Sequence, residues 1–214
     1  TVVLCNASVL DRTAPFLRGS GEGWVTAEYA MLPRATVTRS DREVRMGKQS
    51  GRSQEIQRLV GRSLRAAVNR GEIGERTIAI DCDVLQADGS TRTASISGGW
   101  IALALALGRM YEQGLLSQWP LTNQIIAVAV GLIGGEARVD LDYGEDFDCD
   151  VDLNLVFTGD GNLIEVQGTA EGESFSRDQF GTLLEVGWQG AQQIIERQNE
   201  IVGPKLEALG LSLP

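Results

Sequence analysis

The 214-residue sequence predicts a single α+β domain. Three observations carry that expectation. Alternating segments and helically periodic segments follow one another in the order β-β-α-β-α-β-β-β-β-α, and grouped strands parted by single helices do not make an all-parallel doubly wound sheet. Apolar residues form 43% of the chain, enough to bury a full core and to exclude a disordered chain. No apolar run approaches the ~20 residues that span a bilayer, so no membrane segment is expected.

The elements follow in order. Thr1–Val9 alternates and is rich in β-branched residues, predicting a strand. Asp11–Gly23 reads as a loop with three glycines, and Trp24–Met31 as a second strand ended by Pro33. Arg34–Gly51 is charged and lacks apolar periodicity, so it is expected to be a long exposed segment or a short helix. From about Ser53 the residues Ile56, Leu59, Val60, Leu64, Ala67 and Val68 share one helical face, with Arg58, Arg62 and Arg65 on another; Gly71 and Gly74 are expected to end that helix. Arg76–Leu85 alternates as a strand. Asp88-Gly89-Ser90 is a turn into an apolar helix reaching about Tyr111. Gln124–Ile133 reads as a buried strand, paired through Gly134-Gly135 with Ala137–Asp142. Val151–Thr158 and Asn162–Gln167 form a hairpin across Gly159-Asp160-Gly161. A long amphipathic helix from about Ser176 to Val202 closes the chain, with Pro204 marking its end.

Composition limits the chemistry. There is no His, which excludes Ser-His-Asp and Cys-His nucleophilic designs and any histidine base. Cys5, Cys82 and Cys149 are widely spaced, with no CxxC, and read as reduced structural thiols of a cytoplasmic protein rather than a zinc site. The net charge of -10 conceals segregation. Arg34–Arg70 holds ten Lys or Arg against three acids, a net of +7 that leaves -17 elsewhere, and Glu136–Asp152 holds eight acids against Arg138 alone. The fold is expected to bring a basic and an acidic segment together.

Four constellations carry candidate chemistry. Gln86–Arg92 (QADGSTR) runs from strand into helix, where unpaired amides and the helix dipole suit a phosphate; Gly89 permits close approach, Ser90 and Thr91 add hydroxyls, and Arg92 adds a fork. Against this stands a simple capped helix. Gly47–Arg52 (GKQSGR) is a Gly-rich basic loop but no Walker A loop, with a solvated loop as its alternative. Asp140–Asp152 crowds carboxylates that repel unless a cation sits among them. There Asp150 and Asp152 are expected to share a strand face, with Asp148 before them, in a form that suits Mg²⁺ or Mn²⁺. An acidic solvated turn is the alternative. In Ile164–Gly172, Glu165, Gln167 or Glu171 could line a pocket, though a hairpin exit with polar caps is the stronger reading of their chemistry. Together these residues describe a phosphoryl-transfer site with its metal.

The same residues resemble the ribonuclease PH family. The blocks are GEGWVTAEY (Gly21–Tyr29), MLPRAT (Met31–Thr36), GKQSGRSQEIQRLVGRSLRA (Gly47–Ala66), IDCDVLQADGSTRTASI (Ile80–Ile96), DLDYGED (Asp140–Asp146), VDLNLV (Val151–Val156) and EVQGTAEG (Glu165–Gly172). The resemblance runs in order from about Val3 to the final helix, and implies that the family's first few dozen residues are absent here. It implies a ribosomal-protein-S5-domain-2-like β-α sandwich over residues 1–214. It implies phosphorolytic trimming of RNA 3′ ends, notably of tRNA precursors: inorganic phosphate attacks the last phosphodiester and a nucleoside diphosphate leaves. It also implies a homo-oligomeric ring, typically a hexamer built as a trimer of dimers. By motif, Arg52, Ser90, Thr91 and Arg92 would hold phosphate. Asp146 and Asp152 would be the catalytic carboxylates, binding Mg²⁺ (or Mn²⁺) or protonating the leaving oxygen. Arg34, Arg39, Arg42, Arg45 and Lys48 would grip the RNA backbone. The sequence departs from the family at Ser90, usually a second Gly, and at Pro15, where many members carry Arg. A ring subunit that binds RNA without catalysis, as in exosome-like assemblies, and a metal-dependent hydrolase are the competing expectations.

Overall fold

The computed structural model describes residues 1–214. Its strands and helices are β1 (Val2–Leu10), β2 (Trp24–Met31), α1 (Gly51–Arg65), α2 (Arg70–Ile73), β3 (Thr77–Gln86) and α3 (Thr91–Glu112), then β4 (Ile125–Ile133), β5 (Glu136–Val139), α4 (Tyr143–Asp148), β6 (Val151–Thr158), β7 (Leu163–Ala170) and α5 (Arg177–Glu207). They form two sheets, ordered β1-β3-β2 and β5-β4-β6-β7. β1 lies antiparallel to β3 and β2 parallel to it, so α1 serves as the crossover that a parallel pair requires. The second sheet is antiparallel throughout. The mixed α+β architecture agrees with the sequence.

Burial explains the layering. α1 turns Ile56, Leu59, Val60 and Leu64 inward, and α3 contributes Ile96, Trp100, Leu103 and Leu107 to the same core. That core lies between the two sheets, because Ile78, Ile80 and Val84 enter from β3 while Ile125 and Ala127 enter from β4. The other face of β4, Ile126, Val128 and Val130, packs with Leu183 and Ala191 of α5 in a second core. β4 is buried on both faces, which is why it reads as a continuous apolar run instead of an alternation. No helix is long and apolar enough to cross a membrane.

Several boundaries differ from expectation. α1 stops at Arg65; Ala67 and Val68 are buried beyond it, and Val68 bridges to Leu121. Gly71 does not end that helix but lies inside α2, whose N-cap is Asn69. The acidic run holds a helix, α4, so the strand that carries Asp152 does not reach back to Asp148. Pro204 sits inside α5, which continues to Glu207. The charged segment before α1 contains only the short 3₁₀ turn Glu43–Met46. Cys5 and Cys82 face each other across the β1–β3 ladder with sulfurs 3.9 Å apart, a proximity that their spacing in sequence concealed.

Candidate functional site

The basic half of the candidate site is made where β3 turns into α3. Gly89 and Ser90 both adopt φ of +52°. At Gly89 this is doubly required, since a Cβ there would collide with the Leu141 carbonyl. Ser90 is the N-cap of α3 yet supplies no side-chain cap, so the amides of the first turn keep no side-chain partner. Its Oγ is buried with no hydrogen-bond partner. Thr91 is buried and its Oγ1 accepts a 2.9 Å hydrogen bond from the Tyr29 hydroxyl. Burial pushes the Tyr29 phenol pKa up, while the Thr91 hydrogen bond and the charges of Arg52 and Arg92 oppose that shift. Arg52 and Arg92 thus approach one buried hydroxyl pair from two different helices. Arg52 is the second residue of α1, whose N-cap Ser50 accepts from the Ser53 amide at 3.1 Å.

The acidic half faces it from the second sheet. Asp146 is half-buried on α4 and Asp152 stands on β6 opposite Gly131. Burial raises the Asp152 pKa first, the charges of Asp146 and Glu171 raise it further, and Arg92 pulls it down. Arg92, the second residue of α3, is thus near enough for its charge to favour the ionised Asp152. Asp152 Oδ1 is buried without a partner, and Oδ2 accepts only a long 3.4 Å bond from Asn154 Nδ2. The neighbouring Cys149 thiol is pushed up to about 11 by burial, with Asp152, Asp146 and Glu171 adding to it. No three His, Cys, Asp or Glu side chains meet in metal-ligating geometry. Two carboxylates are nevertheless a set that Mg²⁺ uses when substrate phosphate and water complete its shell, and the unpartnered, repelled Asp152 Oδ1 fits such an ion.

Two expected neighbours are elsewhere. Asp148 ends α4 and is exposed. Asp150 precedes β6, and its carboxylate accepts the Gly134 amide at 3.1 Å, so it serves the β4–β5 turn instead of sharing a strand face with Asp152.

Polar ties fix the two halves together. Gln167 of β7 accepts from Arg92 Nη1 at 3.4 Å and donates to Glu55 of α1 at 3.3 Å. Glu55 also pairs with Arg92 at 3.7 Å, and Glu165 pairs with Arg62 at 3.0 Å. Across the β3–α3 turn, Asp88 Oδ1 accepts the Tyr143 amide at 2.8 Å. The roles of Tyr29, Glu55 and Asp88 were not foreseen. All three lie inside the quoted blocks, which was the available signal; Tyr29 otherwise reads as strand, Glu55 as helix surface and Asp88 as plain turn chemistry.

The five basic residues of the Arg34–Lys48 segment are all exposed. Arg34 donates to the Val37 carbonyl, and Arg39 and Arg45 share Asp41. Arg42 and Lys48 line a cavity of about 1010 Å³ together with Arg52 and Tyr29, which connects the basic segment to the basic half of the candidate site. None of the five makes a direct bond to Asp146 or Asp152.

Comparison with known proteins agrees with this division. Residues 1–107 match the model of the 3′ exoribonuclease family, domain 1, and residues 123–190 match domain 2 of that family. The chain belongs to the 3′ exoribonuclease family. Its fold is similar to that of rice (Oryza sativa) Rrp46, with a TM-score of 0.72 at 17% identity over 93% of this chain and 82% of that one. It is also similar to a chain of the Archaeoglobus fulgidus exosome with RNA bound to the active site, with a TM-score of 0.70 at 22% identity over 91% and 77%. An archaeal exosome core chain gives 0.66 at 19% over 92% and 76%. Within the family's two-part layout, Arg52 and Ser90–Arg92 fall in the first matched segment, and Asp146 and Asp152 in the second. The site is a seam between them.

Proposed function

We propose that the chain is a ribonuclease PH: a phosphate-dependent 3′→5′ exoribonuclease that trims tRNA precursors in the cytoplasm as a homohexameric ring. The observation that carries the reading is the opposition of an uncapped, arginine-flanked helix start to a half-buried carboxylate pair. Inorganic phosphate needs no base to make it nucleophilic, which suits a chain without histidine. The task is to hold two anions in line and to neutralise charge between them.

In this reading the α3 amides, Thr91, Arg92 and Arg52 orient the phosphate, with the Ser90 hydroxyl as a further donor. A phosphate oxygen attacks the terminal phosphorus, the bond to the 3′ oxygen of the penultimate nucleotide breaks, and a nucleoside diphosphate leaves. The released oxygen takes a proton from water, or from Asp152, whose raised pKa suits it to carry one when it is not holding a metal. Asp146 and Asp152 would hold Mg²⁺ or Mn²⁺, which supplies charge neutralisation on the reacting phosphoryl group when bound. Arg34, Arg39, Arg42, Arg45 and Lys48 contact the RNA backbone.

The likeness in fold to Rrp46 and to the exosome chains supports a second reading, a subunit of an exosome-like ring; in that role the chain would bind RNA with little or no catalysis of its own. One experiment separates them. A 3′-extended tRNA incubated with the chain, Mg²⁺ and phosphate should release nucleoside diphosphates. RNA binding without product supports the ring subunit, and phosphate-independent release of monophosphates supports a hydrolase; either result overturns phosphorolysis.

A further inference from the structure

Two large rings on α4 have no part in the chemistry described so far. Tyr143 and Phe147 are 66% and 77% exposed, one turn apart, with centroids 6.4 Å apart and planes inclined by 30°. At that separation neither ring covers the other, so both keep a free face. Asp146 lies between them in the chain.

The helix that carries them is fixed in place. A reciprocal capping box of Asp142 and Glu145 closes its start, and Arg138 binds Glu145 at 2.7 Å. Asp88, from the β3–α3 turn, holds the Tyr143 amide, and Leu141 is buried with its carbonyl against Gly89. The rings therefore stand at a set position relative to Ser90–Arg92 and to Asp146.

We infer that Tyr143 and Phe147 form a stacking platform for one nucleobase of the RNA near its 3′ end. This rests on the reading of RNA as substrate. The occupant follows from charge. Asp142 at the N-cap and Glu145, Asp146 and Asp148 on the same short helix repel phosphates, so a nucleic acid can meet the rings only through the neutral face of a base. The adjoining phosphates are then directed toward Arg92 and Arg52. Base stacking on an aromatic ring tolerates every base, which suits an enzyme that removes successive nucleotides of any identity.

The test is a binding cycle with short RNAs carrying one abasic site, moved along the last four positions. In the wild-type chain, one position should weaken equilibrium binding by roughly tenfold or more. Phe147→Ala and Tyr143→Ala should lower affinity for intact RNA, and the Tyr143→Ala/Phe147→Ala pair should abolish the extra penalty at that position. Phe147→Trp should retain it, and Phe147→Leu should not. The same abasic penalties in wild type and double variant would overturn the platform. So would a change in assembly mass on Phe147→Ala with RNA affinity unaltered, because the rings would then be a subunit contact. If wild-type chain bound no RNA, the functional reading itself would fall. Trimming with an unchanged abasic profile would remove the platform alone.

Discussion

Asp152 shows what a single residue can encode. Its raised pKa means that ionisation costs the fold free energy; the cost is full above the folded pKa and is relieved as pH falls toward the ordinary aspartate value. Asp152→Asn should therefore raise Tm at neutral pH, with the difference from wild type shrinking in acid, while turnover is abolished and RNA binding persists. Calorimetry across pH and a trimming assay check the two halves. Arg92→Ala should raise the phosphate KM by about 10²-fold, the scale of losing a preorganised donor to a reacting anion, and leave RNA affinity nearly intact. Steady-state kinetics with varied phosphate would show it. Arg52, Ser90, Thr91, Arg92, Asp146 and Asp152 were singled out in the sequence because they stand in the blocks that resemble the family and are of reactive or charged type. Tyr29 was not, because a tyrosine in an alternating strand looks like ordinary core until its hydroxyl is seen to reach Thr91.

At the scale of elements, the β3–α3 turn and α4 are one unit. Gly89→Ala combines a strained φ with a collision against the Leu141 carbonyl, and should cost more than ~2 kcal/mol in urea unfolding. Ser90→Gly should act in the opposite sense, by up to about 1 kcal/mol, since it relieves the same backbone region without a collision. Long periodic elements were readable: β2, α3 and the β6–β7 hairpin lie where their patterns put them. α4 was not. Its six residues are too few for a periodic signal, and its acids suggest a solvated turn; the Asp142/Glu145 capping box was the available clue. Pro204 misled for a related reason, because proline usually stops a helix, yet α5 carries it one turn before its end.

Across the whole molecule, charge segregation was legible and its geometry was not. No ion pair joins the basic segment to the acidic run: Arg39 and Arg45 are engaged with Asp41, and Arg62 with Glu165. It is Arg92 of α3, outside that segment, whose charge acts on Asp152. For a single strand, log affinity falls with log salt by about 0.7 per phosphate neutralised. Arg42→Ala with Lys48→Ala should reduce that slope by about 1.4, and Arg39→Ala with Arg45→Ala by less. Titrations at several salt concentrations decide it. The two-sheet layering could not be read from pattern alone, since a strand buried on both faces, such as β4, resembles a buried helix until its partners are known.

α3 lies between the sheets, with its body in the shared core and its first turn at the seam. Neither half of the chain owns the cradle and the carboxylates together: one supplies Arg52 and Arg92, the other Asp146 and Asp152. On the proposed function, a partly folded chain with only one sheet assembled would carry half of the proposed reacting charges and should be chemically silent. Fragments divided in the connection between Glu112 and Ile125 should likewise be inert apart and regain the site only by docking, so competence toward RNA reports that folding has finished.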